Sequence, residues 1–226
     1  MTQINKWKEF WNLQTSPLHS YNSPTWYKLF AEEINLILNA SEYSGGAVLE
    51  TGCGNGALFP YLNINKEDYT GVDLSDSLLE IFQNNHPGVN VISGDASSYN
   101  SDRRFSLIFS NGVIQYFDKK MLEKYIQNST EMLEQDGILL LGNLLWKDVR
   151  NQYYSGELVT GENIQKPKYP RLKLLKAKLW SLLGKNDFMG HSYNPRDFFH
   201  YNSDVTIYGS LFHPYRFSVV IKKKLS

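Results

Sequence analysis

The chain has 226 residues, 23 basic and 23 acidic, and a single cysteine, Cys53. This length suits one compact domain or one domain carrying an insertion, and a formal charge of zero leaves no global field to draw the chain to nucleic acid. One cysteine excludes an internal disulfide and a cysteine-based zinc site. Trp7-Lys-Glu-Phe-Trp11 is mixed and charged rather than signal-like, and no run approaches the ~18 apolar residues of a membrane span, so the sequence reads as a soluble cytoplasmic protein.

In chain order, residues 1–43 precede any strand. Phe30, Ile34, Ile37 and Leu38 recur at helical spacing after Pro24, which suits the start of a helix. Ala47-Val-Leu-Glu50 then reads as a short buried strand, and Gly52, Gly54 and Gly56 follow at every second position before a predicted helix from Ala57. Glycines at a strand-to-helix turn permit positive φ and let the main chain approach a ligand. The spacing differs from the G-x-G-x-x-G of dinucleotide sites. Glu50 beside the turn opposes a pyrophosphate and favours a cationic amino-acid group.

A second strand, Tyr69-Thr-Gly-Val-Asp73, ends in an acidic side chain about 20 residues beyond the glycines, the separation at which ribose hydroxyls are met. Ser75 or Asp76 is placed to cap the following helix, which leaves Asp73 for a ligand. Val89–Ile92 is a third strand, followed by Gly94-Asp95-Ala96, which also reads as an Asx turn. Phe105–Phe109 is a fourth, doubly buried strand leading to Ser110-Asn-Gly-Val113. An amphipathic helix over Met121–Leu133, a turn at Asp136-Gly137 and a fifth strand, Ile138–Leu141, complete the alternation. Strands alternating with helices predict a parallel, doubly wound α/β sheet. In the last third, Ile207-Tyr208 and Phe217–Ile221 read as closing antiparallel strands. Residues 166–185 hold seven basic side chains and leucines at helical spacing. That pattern predicts either a solvated lid helix or a helix resting on anionic lipid or a phosphate-bearing substrate.

The motif Leu49-Glu50-x-Gly52-Cys53-Gly54-x-Gly56, with Asp73, Gly94-Asp95-Ala96 and Asn111-Gly-Val113 in that order, resembles the class I S-adenosylmethionine (SAM) dependent methyltransferases. The likeness spans about residues 45–145. It implies a Rossmann-like, mostly parallel seven-stranded sheet with an N-terminal helical arm and a lid insertion before the last strands. The implied division is an arm over 1–43, a SAM-binding core over 44–145, a substrate cover over 146–194 and closing strands over 195–226. It also implies SAM held by Glu50, Gly52, Cys53, Gly54, Gly56, Asp73, Leu74, Asp95, Ala96, Asn111 and Val113. Asp95 would meet the adenine amine and the backbone of Ala96 a ring nitrogen. Leading segments in that family lie across the cofactor mouth, which makes His19 and Tyr21 substrate candidates.

Ser110-Asn-Gly-Val lacks the Asn/Asp-Pro-Pro-aromatic turn of base-amine methyltransferases and the paired glutamates that grip a guanidinium, and no carboxylate cluster suggests a metal. Elimination leaves a small-molecule acceptor, a hydroxyl of a sugar or sugar-containing conjugate, with no nucleic-acid partner expected. Transfer to nitrogen or carbon, and a SAM-binding partner protein without turnover, stay open. A hydroxyl acceptor needs its proton removed, and histidine suits that near neutral pH. Of the five histidines, His191 in Gly190-His-Ser-Tyr193 is the candidate base, with Tyr193 beside it as a substrate contact.

Overall fold

The computed structural model describes residues 3–14, 23–155, 190–201 and 204–223. His19, Tyr21 and the basic segment 166–185 lie outside the described residues, as does most of the expected cover. Among the described residues no helix is long and apolar enough to cross a membrane.

Two helices precede the sheet: α1 (Gln3–Asn12) and α2 (Pro24–Ala40). Ser23 caps α2 and Pro24 occupies its first turn, where a missing N–H costs nothing. The core then runs β1 (Val48–Thr51), β2 (Tyr69–Asp73), α3 (Asp76–Asn85), β3 (Asn90–Ser93), β4 (Phe105–Asn111), α4 (Lys119–Met132) and β5 (Leu133–Leu145). After α5 (Lys147–Ser155) come β6 (Asp204–Gly209) and β7 (Arg216–Lys222). The seven strands lie in the order β3-β2-β1-β4-β5-β7-β6, the first five parallel and β7 antiparallel to both its neighbours.

Burial explains the sequence pattern. All four residues of β1 are buried, and so are the apolar positions of β4 and β5, because α2 and α3 pack on one face and α4 on the other. Val48, Leu107 and Leu140 point to the α2 side, while Leu49, Ile108 and Leu139 point to the α4 side. Thr51 bridges the layers through a 2.7 Å hydrogen bond between its hydroxyl and that of Tyr125.

Two sequence expectations change here. Ala57–Leu62 carries only a 3-10 turn, Phe59–Tyr61, rather than the start of an α-helix. Pro60 cannot donate to the carbonyl of Gly56, so a helix begun at Ala57 would lose its first backbone bond, and the chain closes only a 3-10 turn here. The turn at Asp136-Gly137 is an irregularity inside β5, where the pairing jumps from Phe105↔Leu133 to Leu107↔Ile138 and Asp136 takes φ +60°.

The sheet order reverses between β1 and β4. Ligands of open α/β sheets bind outside the carboxyl ends of the strands at such a point, which is where the glycine turn lies.

Candidate functional site

At the end of β1 the chain turns through Gly52, Gly54 and Gly56, with φ of +76°, +55° and +73°. Only glycine adopts this succession without strain. Two of the three glycines are required by the protein's own packing as well. A Cβ on Gly52 would lie 2.2 Å from Val113, and one on Gly56 would lie 2.4 Å from the Phe82 ring. Gly52 and Gly54 line a pocket at this end of the sheet, and Gly56, outside that lining, packs against Phe82.

Asp73, the last residue of β2, fastens this turn. One carboxylate oxygen accepts from the N–H of Gly54 at 2.8 Å and the other from the N–H of Ser75 at 2.9 Å. The Leu74 backbone N–H also bonds this carboxylate, which lines the pocket. Ser75 caps α3 by accepting from the Leu78 N–H, as the sequence suggests. Burial raises Asp73 above the usual carboxylate range, opposed by its backbone donors.

Glu50 sits beneath the turn. Burial pushes it up to about 7, partly offset by the Tyr69 hydroxyl and reinforced by the nearby Asp73 charge. Burial likewise pushes the Cys53 thiol well up, which leaves it an inert wall group. Asp95 also faces the pocket, and its oxygens accept from the Ser97 N–H and hydroxyl at 2.9 Å and from the Ser98 hydroxyl at 3.2 Å. It therefore closes an Asx-type turn at the end of β3 while lining the cavity.

The pocket brings together Glu50, Gly52, Cys53, Gly54, Asp73, Leu74, Asp95, Ala96, Asn111 and Val113. Its described lining contains three carboxylates and no lysine, arginine or histidine.

The opposite wall is aromatic and was not legible from motifs. Trp7 and Trp11 of α1, Tyr27 and Phe30 of α2, and Tyr116 and Phe117 after β4 all face the cavity. Trp7 and Trp11 meet Tyr116 edge-on at 5.0 and 5.7 Å. Helix α1 is held over α3 by the hydroxyls of Ser75 and Ser77, which donate to the carbonyls of Trp11 and Asn12 at 3.1 and 3.0 Å. An exposed Lys8–Asp76 ion pair at 2.9 Å adds little.

Asn143 is the second unforeseen member. It lies at a bulge in β5, where the pairing with β7 shifts between Leu141 and Leu144, and it holds φ +62°. Its N–H donates to the Ser218 hydroxyl at 3.2 Å, and its carbonyl accepts from Arg216 at 2.7 Å. These bonds hold a conformation disfavoured for a side-chain-bearing residue, and the bulge re-aims Asn143 into the pocket beside Asn111.

The structure does not bring His191 or Tyr193 to this lining. The His191 side chain is exposed, and its backbone N–H donates to the carbonyl of Gln115 at 2.6 Å. Gly190 takes φ +67° where a Cβ would crowd that same carbonyl at 3.1 Å. Tyr193 is buried, its ring edge-on to Phe198, with its hydroxyl donating to the carbonyl of Phe117. Burial raises its phenol well above the ordinary value. Among the described residues no group of three or more metal-ligating side chains occurs.

Residues 48–137 match a family model described as a methyltransferase domain. A malonyl-[acyl-carrier protein] O-methyltransferase of Priestia megaterium (strain DSM 319 / IMG 1521) is 32% identical over 114 residues, 47% of this chain and 41% of that protein. The chain thus spans about two fifths of the length of the curated relatives it matches. A SAM-dependent methyltransferase from Clostridium acetobutylicum ATCC 824 has the same fold, with a TM-score of 0.61 at 14% identity over 99% of this chain and 100% of that one. Magnesium protoporphyrin IX methyltransferase from Synechocystis PCC 6803, with bound SAM, gives 0.58 at 11% identity over 99% and 98%. Residues 48–137 carry the methyltransferase-domain match, and the sheet order and glycine turn around them agree with the fold of SAM-dependent methyltransferases.

Proposed function

We propose that the chain transfers a methyl group from SAM to a small molecule, and that the acceptor atom is a hydroxyl oxygen of a sugar or sugar-containing conjugate. The observation that carries the first part is a pocket with three carboxylates, a glycine turn and no cation in its described lining. Such a site suits a ligand bearing both a sulfonium and an ammonium charge, and it opposes a pyrophosphate. Glu50 would hold the ammonium group, Asp73 the ribose hydroxyls and Asp95 the adenine amine.

SAM supplies an activated methyl on sulfur, displaced in line by the acceptor. The chain's own residues then have to orient the acceptor and exclude water. The rings of Trp7, Trp11, Tyr27 and Tyr116 offer apolar faces to the C–H face of a sugar, and the carboxamides of Asn111 and Asn143 offer hydrogen bonds to neutral hydroxyls. Helix α1 covers this wall, which supports a dry reaction space. His191 lies outside the lining, so in this reading Asn111 and Asn143 orient the hydroxyl, and the proton it sheds as the methyl arrives passes to solvent at the pocket mouth rather than to a histidine base.

The test is formation of S-adenosylhomocysteine with a panel of free sugars, nucleotide sugars, simple amines and a malonyl carrier thioester. Products are then assigned by NMR. Turnover on a sugar hydroxyl is the expected result. Turnover confined to amines or to the thioester rejects the acceptor class while leaving the methyltransferase assignment intact.

A further inference from the structure

Glu50 and Tyr69 form a buried pair with no cation, 3% and 1% exposed. The Tyr69 hydroxyl donates to Oε2 of Glu50 at 2.5 Å. Tyr69 is fixed by the rings of Phe59 and Phe82, at 4.8 and 5.9 Å between centroids. The titratable groups around Glu50 are Tyr69 and Asp73 from β2, Cys53 from the glycine turn, and Tyr27 and Asp95 farther along the pocket wall. None carries positive charge, so among the described residues nothing neutralises an ionised Glu50.

We propose that Glu50 exchanges its proton for the cofactor's α-ammonium group, so that SAM binding releases a proton, and that the Tyr69 hydroxyl is the positioning group that holds the carboxylate for this exchange. The proposal rests on the assignment of SAM as the cofactor. In the free protein near neutral pH the Glu50 carboxyl is partly protonated, because burial pushes it up to about 7. When the ammonium group docks, the O–H bond of Glu50 breaks, the proton passes to buffer, and the carboxylate pairs with the ammonium, which keeps its own protons. Tyr69 stabilises the ionised form by donating to it. Without that hydroxyl the same burial would drive the titration upward and the exchange would need a higher pH.

Calorimetry of SAM binding in buffers of different ionisation enthalpy counts the released protons directly. With a midpoint of about 7 for Glu50 and about 8 for the ligand's α-amino group, the wild-type chain is expected to release about one proton per SAM at pH 5.5 and about none net at pH 7.5, where the amine takes one up, with affinity falling about 20-fold between pH 7.5 and 5.5. Tyr69→Phe keeps the ring and its packing. It is expected to move the midpoint up by about one unit, so that about half a proton net is released at pH 7.5, against about none for wild type. A purely structural Tyr69 would lower melting temperature or affinity without moving that midpoint. Glu50→Gln should bind weakly, with an affinity that no longer changes between pH 5.5 and 7.5.

A wild-type proton count near zero throughout, or pH dependence surviving in Glu50→Gln, overturns the exchange. An unmoved midpoint in folded Tyr69→Phe overturns the role of Tyr69. Absence of any SAM binding by the folded wild-type chain overturns the cofactor assignment itself, and with it this inference.

Discussion

Glu50→Gln should make the ligand-free protein more stable while removing most of its affinity for SAM. The Glu50 carboxyl rises from an ordinary 4.5 to about 7 in the folded chain, chiefly by burial. A gap of about 2.5 units corresponds to about 3 kcal/mol against folding once the group is ionised. The sign follows from proton binding. Between pH 4.5 and about 7 the native state holds the extra proton, so stability falls as pH rises through that window. Above about 7 the full penalty stands, and below 4.5 it is absent. Glutamine keeps the shape and an oxygen for the Tyr69 hydroxyl, but burying its amide costs about 1 kcal/mol. The net gain is about 2 kcal/mol at pH 8, or about 4–8 °C in melting temperature for a domain of this size. Most of that gain should vanish by pH 5. Removing one partner of a buried charge pair costs about 3–5 kcal/mol, so SAM affinity should fall at least about 100-fold. Thermal melts at pH 5 and pH 8 without ligand, with calorimetry of SAM at pH 8, make the comparison. A variant no more stable than wild type at pH 8, or equally stabilised at both pH values, refutes the reasoning.

Asp73→Ala removes both a carboxylate from the pocket lining and the acceptor for the Gly54 and Ser75 N–H groups. Melting should report a loss of about 1–3 kcal/mol, and calorimetry a fall in SAM affinity of about tenfold or more. Unchanged affinity in the folded variant would discard the ribose assignment. Asn143→Gly keeps the left-handed backbone and deletes the carboxamide. Its stability should stay within about 1 kcal/mol of wild type while kcat/KM for the acceptor drops about tenfold and SAM affinity holds. A parallel loss of SAM affinity would reassign Asn143 to the cofactor. His191→Ala should leave turnover within about threefold at every pH, because its exposed ring is absent from the pocket lining. A fall of about 100-fold with intact SAM binding would restore it as the base.

The sequence makes some parts of this molecule readable and hides others for physical reasons. Alternating glycines between an apolar strand and Asp73 leave a local signature, because both backbone conformation and side-chain chemistry are set within a few residues. The parallel part of the sheet follows from βαβ logic, which does not reach the antiparallel β7 and β6. The aromatic wall is different. Trp7 and Trp11 reach the pocket only because α1 folds back over α3 and meets Tyr116, a contact more than 100 positions distant that no local pattern encodes. Asn143 is hidden by its setting, since the strand predicted from the sequence stops at Leu141 and the bulge depends on pairing with β7. Gly190 is a further case. Its freedom serves a close approach to the Gln115 carbonyl and does not aim His191 at the pocket.

The most direct measurement is calorimetric titration of the wild-type chain with SAM and, separately, with a nicotinamide dinucleotide at pH 7.5. A glycine turn backed by Glu50, Asp73 and Asp95, with no cation in the described lining, predicts saturable binding of one SAM per chain and no measurable heat from the dinucleotide. Dinucleotide binding as tight as that of SAM, or no SAM binding by the folded protein, would contradict the account.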